Sequence, residues 1–344
     1  MRYIGSKALL LQNIENVIKE NVDSANIFCD LFSGTSVVGR YFKKYFQIYS
    51  NDLLYFSYVL QKATIENNEI PNFEKLKLFL NGVEPFEYLE NFDISNYTFK
   101  NIPFIYENYS PNDKSERKYF TNENALRIDF IRQIIEEWKN NNLINENEYF
   151  YLLAGLIEGV PYVSNITGIY GAFLKHWDKR AFKKFKMVKL DVENNYKENK
   201  CFNKDSNILI KEISGDILYI DPPYNQRQYA PNYHILETIA RYDYPKIKGK
   251  TGLRPYEDTK SQYCIKNKVL DVFEDLIENA NFKHIIVSYS TEGIMNVNEI
   301  EDILKKYGNK KTYRLYKIPY RRYKRKSENV EHNLHELIFY IKKG

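Results

Sequence analysis

Residues 27–52 read IFCDLFSGTSVVGRYFKKYFQIYSND, and their pattern predicts the fold. The apolar run at 27–32, followed by Gly34, is typical of a buried strand that meets a turn. A helical pattern comes next, with apolar residues at Val38, Tyr41, Phe42, Tyr45 and Phe46. A second short strand, residues 47–50, ends at Asn51-Asp52. Strand, glycine turn, helix and strand together make a βαβ unit.

Outside this unit the βα alternation is interrupted and then resumes. Residues 70–190, rich in Asn, Glu, Tyr and Lys, predict a largely helical insertion that divides an α/β domain into parts 1–69 and 191–344. Strands are predicted at 216–220, 284–290, 312–318 and 336–341, the last two as a hairpin. We therefore expect an α/β sheet with helices on both faces and an antiparallel edge.

Composition restricts the class of protein. The chain has 344 residues, 43% of them hydrophobic, and no apolar run approaches the ~20 residues that cross a membrane. No signal-peptide pattern is present, so we expect a cytoplasmic protein. The three cysteines are far apart and odd in number, so we expect neither a disulfide framework nor a metal site.

Basic residues are concentrated in two stretches, although the net charge of +5 is modest. Residues 172–189 contain six lysines and one arginine against a single aspartate, and residues 321–326 contain five basic residues and no acid. Such patches suit a polyanion such as nucleic acid, and equally suit two solvated faces. The aromatic residues between the first set of lysines are expected in a core.

Acidic residues end both strands of the βαβ unit. Asp30 begins the turn Asp30-Leu31-Phe32-Ser33-Gly34-Thr35-Ser36, in which Gly34 lets the backbone approach a ligand closely. Asp52 suits the hydroxyls of a ribose, and position alone equally favours a cap for the helix that follows. No G-x-G-x-x-G run and no P-loop lysine is present, so the sequence does not indicate a dinucleotide or a nucleoside triphosphate.

The most informative turn is Asp221-Pro222-Pro223-Tyr224, directly after a predicted strand. Its two prolines fix the backbone and remove two N–H donors. Carbonyl oxygens and the Asp221 carboxylate then form a cluster of acceptors beside the Tyr224 ring, which is what is needed to hold an amino group on a planar base. The alternative is an ordinary strand-ending turn with Tyr224 packed in a core.

The N-terminal Arg2-Tyr3-Ile4-Gly5-Ser6-Lys7 has the parts of an anion-binding helix start, with Ser6 as the cap. This segment, the D-L-F-S-G-T turn and the D-P-P-Y turn occur in that order, a combination that resembles the Dam-like (alpha-class) N6-adenine DNA methyltransferases. Residues 164–172, 221–229 and 233–237 are similar to methylases of type II restriction–modification systems, including the FokI methylase group. One departure is Ser36, where glycine is common; serine can stand there if the backbone angle is ordinary.

The resemblance implies a Rossmann-like S-adenosylmethionine-dependent methyltransferase sheet with an inserted target-recognition domain. The cofactor-binding residues that it implies are Tyr3, Gly5, Ser6, Lys7, Asp30, Phe32, Ser33, Gly34, Asp52, Asp205 and Asp221. The catalytic residues that it implies are Asp221, Pro222 and Tyr224. The Asp221 carboxylate and the Pro222 carbonyl would accept hydrogen bonds from the N6 amine of a flipped adenine stacked on Tyr224.

The expected partner is double-stranded DNA, and a cognate restriction endonuclease acting on the same sequence would be a second. Candidate DNA-binding residues are Lys175, Lys179, Arg180, Arg227, Arg321, Arg322 and Lys324. Two alternatives share the fold. A cytosine-N4 methyltransferase usually carries Ser in place of Asp221, and a DNA-binding protein could keep the fold without catalysis.

Overall fold

The computed structural model describes residues 5–319 and 335–343, and the chain divides into two compact units. We call the first the helical unit; it comprises Met1–Ser6, Leu54–Tyr196 and Tyr229–Thr259. The second, the sheet unit, comprises Lys7–Leu53, Lys197–Gln228 and Lys260–Gly344. The helical unit thus begins before the predicted insertion at 70–190, and it also takes in a segment that follows the D-P-P-Y turn.

The described residues of the sheet unit form one seven-stranded sheet in the order β3-β2-β1-β4-β5-β7-β6. The strands are β1 Ile27–Asp30, β2 Gln47–Asn51, β3 Lys200–Phe202, β4 Ser214–Ile220, β5 Asn281–Ser290, β6 Arg314–Pro319 and β7 His335–Lys342. Strands β1 to β5 pair in parallel, whereas β7 is antiparallel to both β5 and β6. The expected antiparallel pairing of the last two strands is confirmed.

Helices surround this sheet and make up most of the other unit. In chain order they are α1 Leu11–Asn21, α2 Val37–Phe42, α3 Tyr55–Gln61, α4 Glu74–Phe79, α5 Pro85–Asn91, α6 Phe104–Tyr109, α7 Asn122–Asn140, α8 Glu146–Gly159, α9 Ser206–Leu209, α10 Ala230–Arg241, α11 Val269–Asn279 and α12 Val297–Tyr307. Helices α3 to α8 and α10 belong to the helical unit. Among the described residues, no helix is both long and apolar enough to cross a lipid bilayer.

Both faces of the sheet are covered, as a largely parallel sheet requires. On one face Phe28 of β1 stacks on Phe42 of α2, with ring centroids 4.8 Å apart. On the other face, buried residues of β1, β4 and β5 pack in one cluster with Phe273 of α11 and Leu304 of α12. The predicted α/β sheet with helices on both faces is confirmed.

The first helix begins later than the sequence predicts. Ser6 is exposed and does not cap it; the N-cap residue is Leu10, which has no capping side chain. Gly5 adopts a left-handed conformation with φ 78°, which a helix cannot continue through, and the Leu10 N–H donates to the Lys7 carbonyl in a turn. The expectation of a serine-capped helix start is therefore wrong, and Lys7 is set in a turn instead.

The helical unit is built around α7 and α8. Helix α8 starts with a capping box in which Asn145 and Glu148 satisfy each other's backbone N–H groups. Gly159 lets the chain at Lys186 cross this helix closely, because a Cβ at that glycine would clash with the Lys186 carbonyl oxygen. The unit thereby forms a core of its own, distinct from the two layers around the sheet.

Candidate active site

The turns that follow β1, β2 and β4 are tied together at the carboxyl ends of the parallel strands. The Ser33 N–H donates to the Asn51 carbonyl at 2.9 Å, and the Leu31 N–H donates to the Tyr219 carbonyl at 3.1 Å. The Asn51 amide returns a hydrogen bond to the Leu31 carbonyl at 3.1 Å. This is the edge where open α/β sheets bind their ligands.

The turn after β1 contains two residues in the left-handed region, Gly34 at φ 52° and Ser36 at φ 62°. The condition under which serine would easily replace glycine at position 36, an ordinary backbone angle, is therefore not met. A left-handed conformation costs a residue with a Cβ roughly 1–2 kcal/mol. The Ser36 side chain is buried, and among the described residues its Oγ has no hydrogen-bond partner, nor does Ser33 Oγ. Strain and unpaired buried hydroxyls thus coincide at this turn.

The carboxylates of Asp30 and Asp52 both hold this turn. Asp52 Oδ2 accepts from the Gly34 N–H at 2.8 Å, and Asp30 Oδ2 accepts from the Gly39 N–H at 3.0 Å. Burial raises the pKa of Asp30 to about 8, against the effect of the Gly39 hydrogen bond. Helix α3 has Leu54 at its N-cap, and its first N–H groups, those of Tyr55 and Phe56, donate to the Glu237 carboxylate at 3.1 and 2.9 Å, so the alternative of Asp52 as its cap does not occur.

Two other expected cofactor residues lie in the sheet unit as well. Phe32 is partly buried and meets the ring of Tyr263 edge-on, with centroids 5.1 Å apart. Asp205 caps the short helix α9, accepting from the N–H groups of Asn207 and Ile208 at 2.9 and 3.3 Å. These two hydrogen bonds are both local to the turn that starts α9.

Lys7 lies between two carboxylates. Its side chain is only 4% exposed, and Nζ lies 3.2 Å from Asp221 Oδ1 and 3.3 Å from Glu336 Oε2. Asp221 directly follows β4, and Glu336 is on β7. The same ammonium lies 5.3 Å from the centroid of the Tyr224 ring, within the range of a cation–π contact.

Burial and charge act in opposite directions in this cluster. Burial raises the pKa of Asp221 to about 6, Lys7 acts to lower it, and Glu336 adds to the rise. For Lys7, burial disfavours the charged form, but Asp221 and Glu336 outweigh it and hold the pKa above its ordinary value. Lys7 therefore stays charged, and its charge favours the ionised form of Asp221 against the effect of burial.

Tyr224 is fixed at its backbone and partly open at its ring. Its carbonyl accepts from the Ile294 N–H at 3.0 Å, and its ring meets Tyr289 edge-on with centroids 6.1 Å apart. Pro222, which follows Asp221 in the D-P-P-Y turn, is buried. A carboxyl group beside a charged lysine, two prolines without N–H donors and a partly exposed aromatic ring therefore occur together, which suits an amino group on a planar ring.

Comparison with protein families agrees with this chemistry. The family model described as D12 class N6 adenine-specific DNA methyltransferase matches residues 3–303. The chain belongs to this family. Its match begins ahead of Lys7 and extends through the D-P-P-Y turn, so it includes both Lys7 and Asp221 of the cluster.

Individual relatives of this D12 class chain are named as type II methyltransferases or modification methylases. Type II methyltransferase M.FokI of Planomicrobium okeanokoites is 60% identical over 100% of the chain and 53% of that protein. Modification methylase StsI of Streptococcus sanguinis is 46% identical over 100% of the chain and 52% of its own length. Type II methyltransferase M.NlaIII of Neisseria lactamica is 42% identical over 99% of the chain and 98% of that protein. The chain thus spans about half of the first two relatives and nearly all of the third.

The expected DNA-binding residues of this methyltransferase family member lie in different settings. Lys175, Lys179 and Arg227 are exposed. Arg180 is one-third exposed, and its guanidinium donates to the Ile166 carbonyl, so it also holds a neighbouring loop. Outside the described residues lie Tyr3, Arg321, Arg322 and Lys324.

Aromatic residues among these lysines are not all in a core, contrary to expectation. Phe185 is fully buried, whereas Phe182 is 64% exposed and packs only partly on Trp177, with centroids 5.6 Å apart. Lys179–Phe182 forms one short 3-10 turn, and the chain is extended from Lys184 onward, where buried and exposed residues alternate. Helical spacing would place Phe182 and Phe185 on one face. Because the helical turn ends at Phe182, the two rings have different environments.

Sequence reasoning missed Glu336 and the role of Asn165. The buried Asn165 side chain donates to the carbonyls of Lys118 and Leu174 and accepts from the Asp178 N–H, at 2.9, 3.1 and 2.9 Å. It thereby holds the loop that exposes Thr167. The similarity of residues 164–172 to type II methylases was a signal for this loop; Glu336 had none, because only the strand order brings it to Lys7.

Proposed function

We propose that the chain is a site-specific DNA adenine methyltransferase that transfers a methyl group from S-adenosylmethionine to N6 of adenine in double-stranded DNA. The observation that supports this most is the Asp221 carboxylate of the D-P-P-Y turn, which lies 3.2 Å from the buried ammonium of Lys7 in a D12 class family member. Asp221 argues for adenine over cytosine, because cytosine-N4 enzymes usually carry serine at that position.

The chemistry asks the protein mainly for positioning. The lone pair of adenine N6 is delocalised into the ring, so the amine is a weak nucleophile. Hydrogen bonds from its two hydrogens to the Asp221 carboxylate and the Pro222 carbonyl favour a more tetrahedral nitrogen, which frees the lone pair for in-line attack. S-adenosylmethionine supplies the electrophilic methyl group on a sulfonium.

The turn after β1 fits such a cofactor. Ser33 and Ser36 bury hydroxyls that have no hydrogen-bond partner among the described residues, and a polar ligand would satisfy them. The left-handed Gly34 leaves its backbone open to close approach, and Asp52, which holds Gly34, is the acid suited to ribose hydroxyls. The family membership and the hydroxyls and carboxylate of this turn together support its assignment to the cofactor.

The target amine is inaccessible in a duplex, so the adenine must leave the stack at a cost of a few kcal/mol. Tyr224 provides a surface for it, since stacking of a base on an aromatic ring contributes about 1–3 kcal/mol. We assign phosphate contacts to exposed lysines of the helical unit, Lys175 and Lys179, and a base contact to the exposed Phe182.

The biological role that we propose is modification in a restriction–modification system, with a cognate restriction endonuclease as partner. The support is the names of the relatives, which are type II and modification methylases. We further propose that the enzyme acts in the cytoplasm, which agrees with the free thiols of Cys29, Cys201 and Cys264.

The test is a transfer assay with methyl-labelled S-adenosylmethionine and unmethylated DNA, followed by digestion to nucleosides. Label in N6-methyladenine that is lost in Asp221→Ala would support the reaction, the base and the site together. Label in N4-methylcytosine would overturn the assignment to adenine. No label, with cofactor binding retained, would favour a DNA-binding protein that keeps the fold.

A further inference from the structure

Two carboxylates share one ammonium in the active-site cluster, and only one of them belongs to the D-P-P-Y turn. Lys7 Nζ contacts Asp221 Oδ1 and Glu336 Oε2 at nearly equal distances, 3.2 and 3.3 Å. A single Lys7–Asp221 pair would already be neutral. The Glu336 carboxylate therefore leaves the cluster with a net charge of −1, in a place where an unneeded buried charge would be costly.

We propose that Glu336 is a positioning residue for methyl transfer, which acts through Lys7 to fix the Asp221 carboxylate and to keep the cluster negatively charged. The inference rests on the proposed function, because it assigns Asp221 to the target amine. Glu336 itself contacts neither the base nor the cofactor in this account. Glu336 instead affects the orientation and the charge of the Asp221 carboxylate, which contacts the target amine in the proposed reaction.

The position of Glu336 in the sheet supports a fixed geometry. Strand β7 lies between β5 and β6, and Glu336 pairs with Ser290 on one side and with Ile318 on the other. Its side chain is 11% exposed. A residue held by backbone pairing on both sides places its carboxylate more reproducibly than a loop residue would. Lys7, which lies in a turn, thus gains a rigid anchor.

The charge of the cluster suits the reaction. The methyl donor is a sulfonium cation, and positive charge develops on the attacking amine during transfer. An Asp221 carboxylate fully neutralised by Lys7 would attract both more weakly, whereas sharing of Lys7 with Glu336 restores negative charge at Asp221. Groups that are arranged in advance around developing charge are the ones that favour the transition state.

The Asp221 carboxylate is also influenced by groups from other elements, and a test must hold them constant. Lys7 and Glu336 act directly on its pKa, and its charge in turn acts on Asp30 at the end of β1 and on Tyr219 of β4. Tyr224, in the same turn, acts on Lys7. Because Glu336 raises the pKa of Asp221, its removal should lower that pKa.

The experiment compares wild type with Glu336→Gln and Glu336→Asp. The matched control is Glu274→Gln, which removes the carboxylate that pairs with Lys306. The first readout is the acid limb of the pH profile of kcat/KM, which reports the free enzyme. We expect the limb near pH 6 in wild type and about one unit lower in Glu336→Gln, a usual effect of a nearby charge on a carboxyl pKa. Glu336→Asp should lie between them, and the control should not move.

The second readout is cofactor binding by calorimetry, without DNA. S-adenosylmethionine is a cation at sulfur, and its demethylated thioether product is not. We expect Glu336→Gln to weaken binding of the cation several-fold more than binding of the thioether, and Glu274→Gln to leave the ratio of the two affinities unchanged.

The outcomes separate this inference from the proposed function. An acid limb and an affinity ratio that stay at wild-type values in a folded Glu336→Gln, whatever its activity, would show a purely structural residue. If that variant fails to fold, the graded shift in Glu336→Asp decides, and an unmoved limb there overturns the inference. A wild type that transfers no label and binds neither cofactor form would instead overturn the proposed function.

Discussion

Each unit contains a buried carboxylate with a raised pKa, and the two differ in their partners. In the helical unit, burial raises the pKa of Asp129 to about 7. Asp129 accepts from the N–H groups of Ile105 and Tyr106 in the first turn of α6, at 3.0 and 2.8 Å, and from the Tyr242 hydroxyl at 2.7 Å. In the sheet unit, Asp221 has a pKa of about 6 and shares the Lys7 charge with Glu336.

The difference teaches that a raised pKa does not by itself identify a functional acid. Asp129 on α7 serves as the cap of α6, and its oxygens are already occupied by directional donors. Asp221 is held by charge, at a turn whose prolines provide no donors. Of these two carboxylates, Asp129 has its oxygens occupied by neutral directional donors, whereas Asp221 shares a cation and keeps acceptor capacity for a substrate.

The largest expected effect separates the two carboxylates by activity. Asp221→Asn should lower the single-turnover rate at least about 100-fold, the contribution commonly made by one positioned acid–base group. Its melting temperature should stay close to that of wild type. Asp129→Asn should keep a wild-type single-turnover rate in the folded fraction. Comparable rate losses in both variants would break the distinction.

A second pair of residues tests whether environment, rather than residue type, decides the role. Phe185→Ala should lower the free energy of unfolding by about 3–5 kcal/mol, because its ring is fully buried. Phe182→Ala should change stability by no more than about 0.5 kcal/mol. If Phe182 stacks on a base, its loss should instead weaken duplex binding by about 1–3 kcal/mol, measured by fluorescence anisotropy. Equal stability losses would contradict the exposure of Phe182.

Loss of the Asp129 cap should be visible in stability and in its pH dependence. Asp129→Asn replaces one acceptor by an amide donor and leaves buried N–H groups short of a partner, at a cost of about 1–3 kcal/mol. The folded pKa of about 7 lies above the unfolded value, so the stability that Asp129 contributes is fully present below about pH 4 and is lost as pH rises towards 7. The gap in melting temperature between the two proteins should therefore narrow over that range. A gap that is constant with pH would mean that Asp129 titrates normally.

The smallest effect concerns two buried serines, Ser164 with a hydrogen-bond partner and Ser36 with none within residues 5–319 and 335–343. Ser164 Oγ donates to the Val160 carbonyl at 2.7 Å, so Ser164→Ala should destabilise the protein slightly. Ser36→Gly should stabilise it by about 0.5–1 kcal/mol, since relief of a left-handed serine exceeds the extra backbone entropy of glycine. Both are measured by denaturant titration. A less stable Ser36→Gly would show that the hydroxyl has a partner in the folded protein.

The fold was predictable because it depends on local patterns. Residues 27–52 contain a complete strand–turn–helix–strand signal, and β1, α2 and β2 form within it. The D-P-P-Y turn likewise follows β4 directly. Each of these signals lies within one short stretch, so neither needs a contact with a distant part of the chain.

Three features of the site and of the basic segment were not predictable, because they depend on contacts between distant residues or on where a helical turn gives way to another backbone conformation. Lys7 and Glu336 are 329 positions apart, and only the position of β7 beside β5 brings them together. Phe182 and Phe185 are three apart, a helical spacing, yet a short 3-10 turn followed by extended chain gives them opposite environments. The left-handed angle of Ser36 has no signature in a residue type that usually avoids it.

The separation of Lys7 from Glu336 also sets an order of events during translation. At a synthesis rate of about 5–20 residues per second, a ribosome needs roughly 15–65 s to travel from one to the other. Throughout that interval Lys7 lacks its second carboxylate, and β5, which is made shortly before β7, at first lacks its antiparallel neighbour. The charge arrangement at Asp221 is therefore completed only when β7 emerges from the ribosome. A nascent chain can thus become active only when its sheet is nearly complete.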